Sequence, residues 1–149
     1  MAKVAKPGSR KGRLPPTARS LPIVLIRARE NVMAPIRKML ADSGITEQQW
    51  RVLRVLAEAG PMDSSKVAER ASLLLPSLTR IALTMREKGL ITQVQDPVDR
   101  RRQKLAIAPA GRELIDRNIE QALEIVAGFK AKLGEADYER LLDLLDRLA

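Results

Sequence analysis

Leu21, Leu25, Ile26, Val32, Met33, Ile36, Met39 and Leu40 recur at helical spacing on one broad apolar stripe, which predicts a first helix from about Thr17 to Asp42, kinked at Pro35. Gly44 ends it. Thr46, followed three residues later by Gln49, has the spacing of a capping box, so a second helix is expected over Thr46 to Ala59 with Trp50, Leu53, Val55 and Leu56 inward. Gly60-Pro61 stops that helix. Asp63 is placed to cap a short third helix over Ser64 to Ala71, burying Val67, Ala68 and Ala71. Pro76 suits the first turn of a fourth helix that reaches Gly89, with Leu78, Ile81, Ala82 and Met85 on its apolar side. Ser77, Thr79, Arg80 and Thr84 are left outward.

The pattern then changes. Leu90 to Gln95 and Gln103 to Ala108 are β-prone, and between them lies Asp96-Pro97-Val98-Asp99-Arg100-Arg101-Arg102, rich in turn formers. This is a hairpin with a charged tip. Pro109-Ala110-Gly111 leads into a long helix carrying Leu114, Ile115, Ile119, Leu123, Val126 and Phe129 on one side; Gly134 breaks it, and a final helix carries Tyr138, Leu141, Leu142, Leu144, Leu145 and Leu148. The expected fold is mainly α with a small β-hairpin. Residues 1-16, basic and rich in Pro and Gly, read as a tail that is disordered when free, and residues 17-149 as a single domain with a central lobe over 46-108.

Composition sharpens this reading. Hydrophobic residues make up 45% of the chain and aromatics only 2%, so the interior is built from aliphatic side chains, which favours packed helices. There is no Cys and no His, which removes the thiol nucleophile, the usual zinc ligands and the commonest general base. With no phosphate-cradling Gly-rich loop either, an enzyme is not expected, nor a metal site or a cofactor. No membrane span or secretory signal is visible, so a cytoplasmic protein is expected.

The net charge of +9 points to a polyanionic partner. Lys3, Lys6, Arg10, Lys11, Arg13 and Arg19 place +6 of it in the first 20 residues, without an acid among them. That segment is an interaction arm or a solubilising leader.

Three short helices followed by a hairpin with an arginine-rich tip make a winged helix-turn-helix, whose second motif helix enters the major groove of double-stranded DNA. Arg80 suits guanine, and Ser77, Thr79 and Thr84 suit bases or phosphates. Ser77 and Thr79 are equally readable as ordinary residues at a helix N-terminus. The run Asp99-Arg100-Arg101-Arg102 with Lys104 is either a DNA-contacting wing or a solvated charged turn; its place directly after the fourth helix favours the wing.

The stretch from Leu90 through Asp96-Pro97-Val98-Asp99-Arg100-Arg101-Arg102-Gln103-Lys104-Leu105 to Pro109-Ala110-Gly111 resembles the wing of the MarR family of bacterial transcriptional regulators. Within that family, Ile45-Thr46-Glu47-Gln48-Gln49-Trp50-Arg51-Val52-Leu53-Arg54 looks like the homoprotocatechuate-operon repressor branch. The resemblance runs from about Leu21 to the C-terminus. It implies a homodimer that reads a pseudo-palindromic operator, with dimerisation helices at 17-42 and 110-149 and the DNA-binding lobe at 46-108. The uncovered leucines of the last helix support a dimer independently. It also implies that Arg101 enters the minor groove, oriented by a salt bridge to Asp99, with Arg100, Arg102 and Lys104 as phosphate contacts or reserve charge.

The same resemblance implies release of DNA by a small aromatic acid. Arg27 and Arg29 are candidates for its carboxylate, with Met33, Trp50 and Arg51 nearby. Trp50 is more often a core residue than a pocket wall, and Arg29 is also readable as the partner of a neighbouring acid or of one across the dimer. The expected function is therefore a repressor of an aromatic-catabolism operon; the alternative is a nonspecific or architectural nucleic-acid-binding protein without an effector.

Overall fold

A computed structural model describes residues 12–149 of the chain, so the expected disorder of the basic tail falls largely outside the described residues. Two compact units are distinguished, Met1–Met33 and Ala34–Ala149. In the first, a single 3-10 turn over Thr17–Arg19 precedes helix α1, Leu21–Leu40, whose last turns belong to the second unit. The expected start at Thr17 is thus displaced to Leu21. A helix running on from Thr17 would need an N–H that Pro22 lacks and would press the Pro22 ring on the carbonyl of Ala18. The chain instead extends at Ser20 and restarts with Pro22 in the first turn, where that N–H is not needed. Leu21, Ile23, Val24, Leu25, Ile26 and Val32 along α1 are exposed.

The second unit carries the rest. A 3-10 turn over Ala41–Ser43 ends at Gly44, whose φ of 66° is the left-handed conformation that glycine adopts without strain. Helix α2, Glu47–Ala59, opens on the expected capping box: the Gln49 amide donates to Thr46 Oγ1 at 3.2 Å and the Thr46 amide to Gln49 Oε1 at 3.1 Å. Helix α3 spans Ser64–Arg70 and helix α4 spans Leu75–Glu87. Asp63 precedes α3 in the N-cap position, yet its carboxylate makes no cap bond. Strands β1, Ile91–Gln95, and β2, Gln103–Ile107, pair antiparallel with Ile91 opposite Ile107 and Gln95 opposite Gln103. Helices α5, Pro109–Leu133, and α6, Glu135–Asp146, follow, separated by Gly134.

The core lies around α2, whose Val52, Leu53 and Leu56 are wholly buried against Val67, Leu78, Met85, Leu105 and Leu114. Each such side chain contributes about 1.5–3 kcal/mol relative to exposure. Trp50 also belongs to this core.

Two contacts fix the hairpin to it. Met62, just before α3, exchanges both backbone hydrogen bonds with Leu105, at 3.1 and 2.9 Å, so β2 is held on both edges. At the other end, Gly111 in the first turn of α5 lies so close to the Leu90 carbonyl that a Cβ would overlap that oxygen. The same carbonyl accepts the Ala108 amide at 3.0 Å. The root of the hairpin and the start of α5 are therefore packed backbone against backbone. Leu141, Leu142, Leu144, Leu145 and Leu148, on and just beyond α6, remain exposed.

Candidate nucleic-acid interface

Helix α4 buries Leu78, Ile81, Ala82 and Met85 and thereby turns its opposite side outward. Thr79 and Arg80 are exposed there, and Ser77 and Thr84 are partly exposed. The hydroxyls of Thr79 and Thr84 donate to their own helix, to the carbonyls of Leu75 at 3.0 Å and Arg80 at 3.4 Å. Neither caps an N-terminus; each keeps its oxygen as an acceptor. Leu74 and Leu75, at the start of the same helix, are also exposed, Leu74 by 76%. Nothing in the apolar pattern marks either as a surface residue.

The turn between α3 and α4 is held from outside. Ser72 adopts a left-handed φ of 52°, unusual for a residue with a side chain. The Leu73 amide reaches back to the Ala68 carbonyl at 2.8 Å. From α2, the Arg51 guanidinium donates to the carbonyls of Ala71 at 2.6 Å and Ser72 at 3.2 Å while pairing with Glu47 at 3.2 Å. A cation on the last carbonyls of a helix satisfies acceptors that have no intrahelical donor. Arg51, expected near an effector, is instead committed to the turn that sets the start of α4.

The wing is built from two nested turns. The Asp96 amide donates to the Arg102 carbonyl at 2.9 Å, extending the ladder past the strands. The Asp96 carboxylate, itself buried, then turns the chain: its Oδ1 accepts the Val98 amide at 2.8 Å and the Asp99 amide at 3.2 Å, and Oδ2 pairs with Lys104 Nζ at 3.1 Å. These amide bonds and the Lys104 ammonium lower its pKa from 3.8 to about 2, since each favours the charged carboxylate. Beyond it, the Arg102 amide returns to the Asp99 carbonyl at 2.9 Å, a four-residue turn with Arg100 and Arg101 at its corners.

This arrangement corrects the expected contact at the tip. Asp99 does meet residue 101, but at the backbone: its Oδ1 accepts the Arg101 amide at 3.0 Å rather than pairing with the guanidinium. A carboxylate two residues ahead of an amide closes a short ring in such a turn more readily than it reaches the end of a long side chain. The neighbouring cations are partly spent. Arg102 pairs with Asp63, the residue that makes no cap bond to α3, at 3.5 Å, and Lys104 pairs with Asp96. Arg100 and Arg101 have no ion-pair partner among the described residues and are exposed, next to Val98 at 94% exposure. The sequence pattern gives Asp63 and Asp96 no larger roles than a helix cap and a turn former. The Asp96-Pro97-Val98-Asp99 spacing, that of a side chain accepting amides two and three residues on, is the signal available for the second.

The remaining candidates divide between the units. Arg27, Arg29 and Met33 lie on the part of α1 in the first unit; Arg29 donates to Glu30 at 3.4 Å, and Met33 is partly exposed. Trp50 is 6% exposed in the core of the second. Among the described residues no three or more acidic side chains are grouped to hold a metal ion, and no helix is long and apolar enough to cross a membrane.

Comparison with known proteins places this geometry. A family model described as the MarR family matches residues 45–102, from the start of α2 to the wing tip. The chain is 37% identical over 130 residues to the HTH-type transcriptional regulator FarR of Neisseria gonorrhoeae, covering 87% of this chain and 89% of the relative. It is 35% identical over 127 residues to the homoprotocatechuate degradative operon repressor of Escherichia coli, covering 85% and 86%. Among solved structures it resembles NadR in complex with 4-hydroxyphenylacetate, at 34% identity and a TM-score of 0.78, covering 92% of this chain and 97% of that one.

Proposed function

The chain belongs to the MarR family, and from that premise we propose that it is a homodimeric, sequence-specific DNA-binding regulator that represses an aromatic-catabolism operon and is released by a small aromatic carboxylate. The observation that carries this reading is the wing corner: Arg100 and Arg101, exposed and without ion-pair partners among the described residues, stand on a hairpin that packs on α4. In this reading Arg80, with Ser77, Thr79 and Thr84, reads base edges in the major groove. Arg101 enters the minor groove, Arg100 meets phosphate, and Arg102 and Lys104 support the wing more than they touch DNA. The relatives named for homoprotocatechuate degradation and the structural neighbour holding 4-hydroxyphenylacetate support the aromatic effector. For its carboxylate we keep Arg27 and Arg29; Arg51 serves the α3–α4 turn, and Trp50 serves the core.

One observation favours a second reading. Six Lys and Arg with no acid in the first 20 residues would bind phosphate whatever the sequence, as an architectural protein does. The test is to select duplexes from a random pool with the purified protein and to compare a selected duplex with random DNA across a salt titration. The regulator reading expects a preference that survives rising salt, lost on adding 4-hydroxyphenylacetate or 3,4-dihydroxyphenylacetate; equal affinities at every salt concentration sink it. Arg101→Ala should weaken binding about tenfold or more, and Arg80→Ala should also flatten the preference among related sequences.

A further inference from the structure

The wing tip holds two aspartates, and the geometry points to Asp96 as the residue that positions the Arg100–Arg101 corner. This inference rests on the reading of the wing as a DNA contact and goes beyond it, to what makes the contact possible. We infer that Asp96 is a positioning residue for DNA binding: its carboxylate turns the chain at the end of β1, so that the two unpaired arginines project from a fixed corner.

Four contacts converge on this residue. Its amide closes the ladder on Arg102, its Oδ1 takes the amides of Val98 and Asp99, and its Oδ2 takes the Lys104 ammonium from the facing strand. Asp99, by contrast, has its carboxylate on a single amide, that of Arg101, at an exposed site. The contacts are consecutive in their effect. Asp96 sets where Asp99 begins its turn, and the Asp99 turn sets where Arg100 and Arg101 point. Without the Asp96 carboxylate, the amides of Val98 and Asp99 lose their acceptor and Lys104 loses its counter-charge, so the Asp99 turn, with its bonds to the Arg101 and Arg102 amides, is left without a fixed starting point. An arginine on a loose loop must be ordered as it binds, and that ordering cost is subtracted from its contribution.

Lys104 follows from the same geometry. Its ammonium is held on the buried Asp96 carboxylate, a partner that phosphate would have to displace. The charges of the tip therefore fall into two groups. Lys104 is paired with Asp96 and Arg102 with Asp63, while Arg100 and Arg101 are exposed at the corner.

A double-mutant cycle on DNA affinity tests this, using a duplex selected by the wild-type protein. In the wild-type background Arg101→Ala is expected to cost about tenfold or more. In an Asp96→Ala background the same change should cost less than about twofold, because the arginine is no longer presented, whereas Arg80→Ala on α4 should cost as much as before. Asp96→Asn keeps an oxygen for the two amides and should restore most of the Arg101 penalty. If Asp96→Ala does not fold, Asp96→Ser, whose hydroxyl makes the same turn more weakly, takes its place in the cycle. An Arg101 penalty undiminished in the Asp96→Ala or Asp96→Ser background, or an Arg80 penalty that falls with it, overturns the inference. If Arg101→Ala costs nothing even in the wild-type protein, it is the wing reading itself that fails.

Discussion

Arg51 and Asp96 do comparable work: each is a charged side chain spent on backbone groups that the local fold leaves without partners. For Asp96 this has a pH signature. Its pKa is depressed in the folded chain to about 2, so the stability it supplies is fully present above its ordinary value near 4 and disappears as pH falls from there through 2. The melting temperature of the wild-type protein should therefore exceed that of Asp96→Asn at pH 6, and the gap should close as pH drops from 4 to 2. A gap that stays constant over that interval would show that the ionised carboxylate gains nothing from the Val98 and Asp99 amides or from the Lys104 ammonium. The roles of single residues were only half legible in the sequence. That arginines cluster at residues 100–102 is plain from the string, but Arg102 is neutralised by Asp63, nearly forty positions away, and nothing local reveals such a partner.

The elements were more legible, because their signals are local. The Thr46–Gln49 box, the glycine at position 44 and the alternation around a charged turn each act within a few residues, and the structure places α2, α3, α4 and the hairpin close to where those signals put them. The displaced start of α1 came from a local signal that was available and outweighed: Pro22 interrupts the stripe that its apolar neighbours draw. Gly111 is the opposite case, since its constraint comes from a contact between elements. In an open helix position Ala would be favoured over Gly by about 0.5–1 kcal/mol. Here its methyl would meet the Leu90 carbonyl and Leu53, and overpacking against backbone costs about 1–3 kcal/mol. Gly111→Ala should therefore lower the melting temperature, by several degrees; a rise would mean that the approach of α5 to the hairpin root is not tight.

For the molecule as a whole, the unspent feature is apolar surface. Leu141, Leu144, Leu145 and Leu148 leave a row of aliphatic side chains exposed on and just beyond α6, and α1 exposes its own row from Leu21 to Ile26. In the dimer reading these rows are covered by a second copy. Light scattering on a Leu144→Glu, Leu145→Glu variant should then give the monomer mass, with DNA affinity falling because two half-sites are no longer bound together. A variant that remains dimeric would move the interface elsewhere. The Gly111 contact also bears on how far the wing can be moved. Because the first turn of α5 and the root of the hairpin touch through a glycine and a carbonyl, with no side chain between them to yield, that joint has no play. Five residues of strand reach about 16 Å from it. Each degree by which α5 swings about that point carries the arginine corner roughly 0.3 Å, so a swing of about ten degrees moves it by about the length of a hydrogen bond.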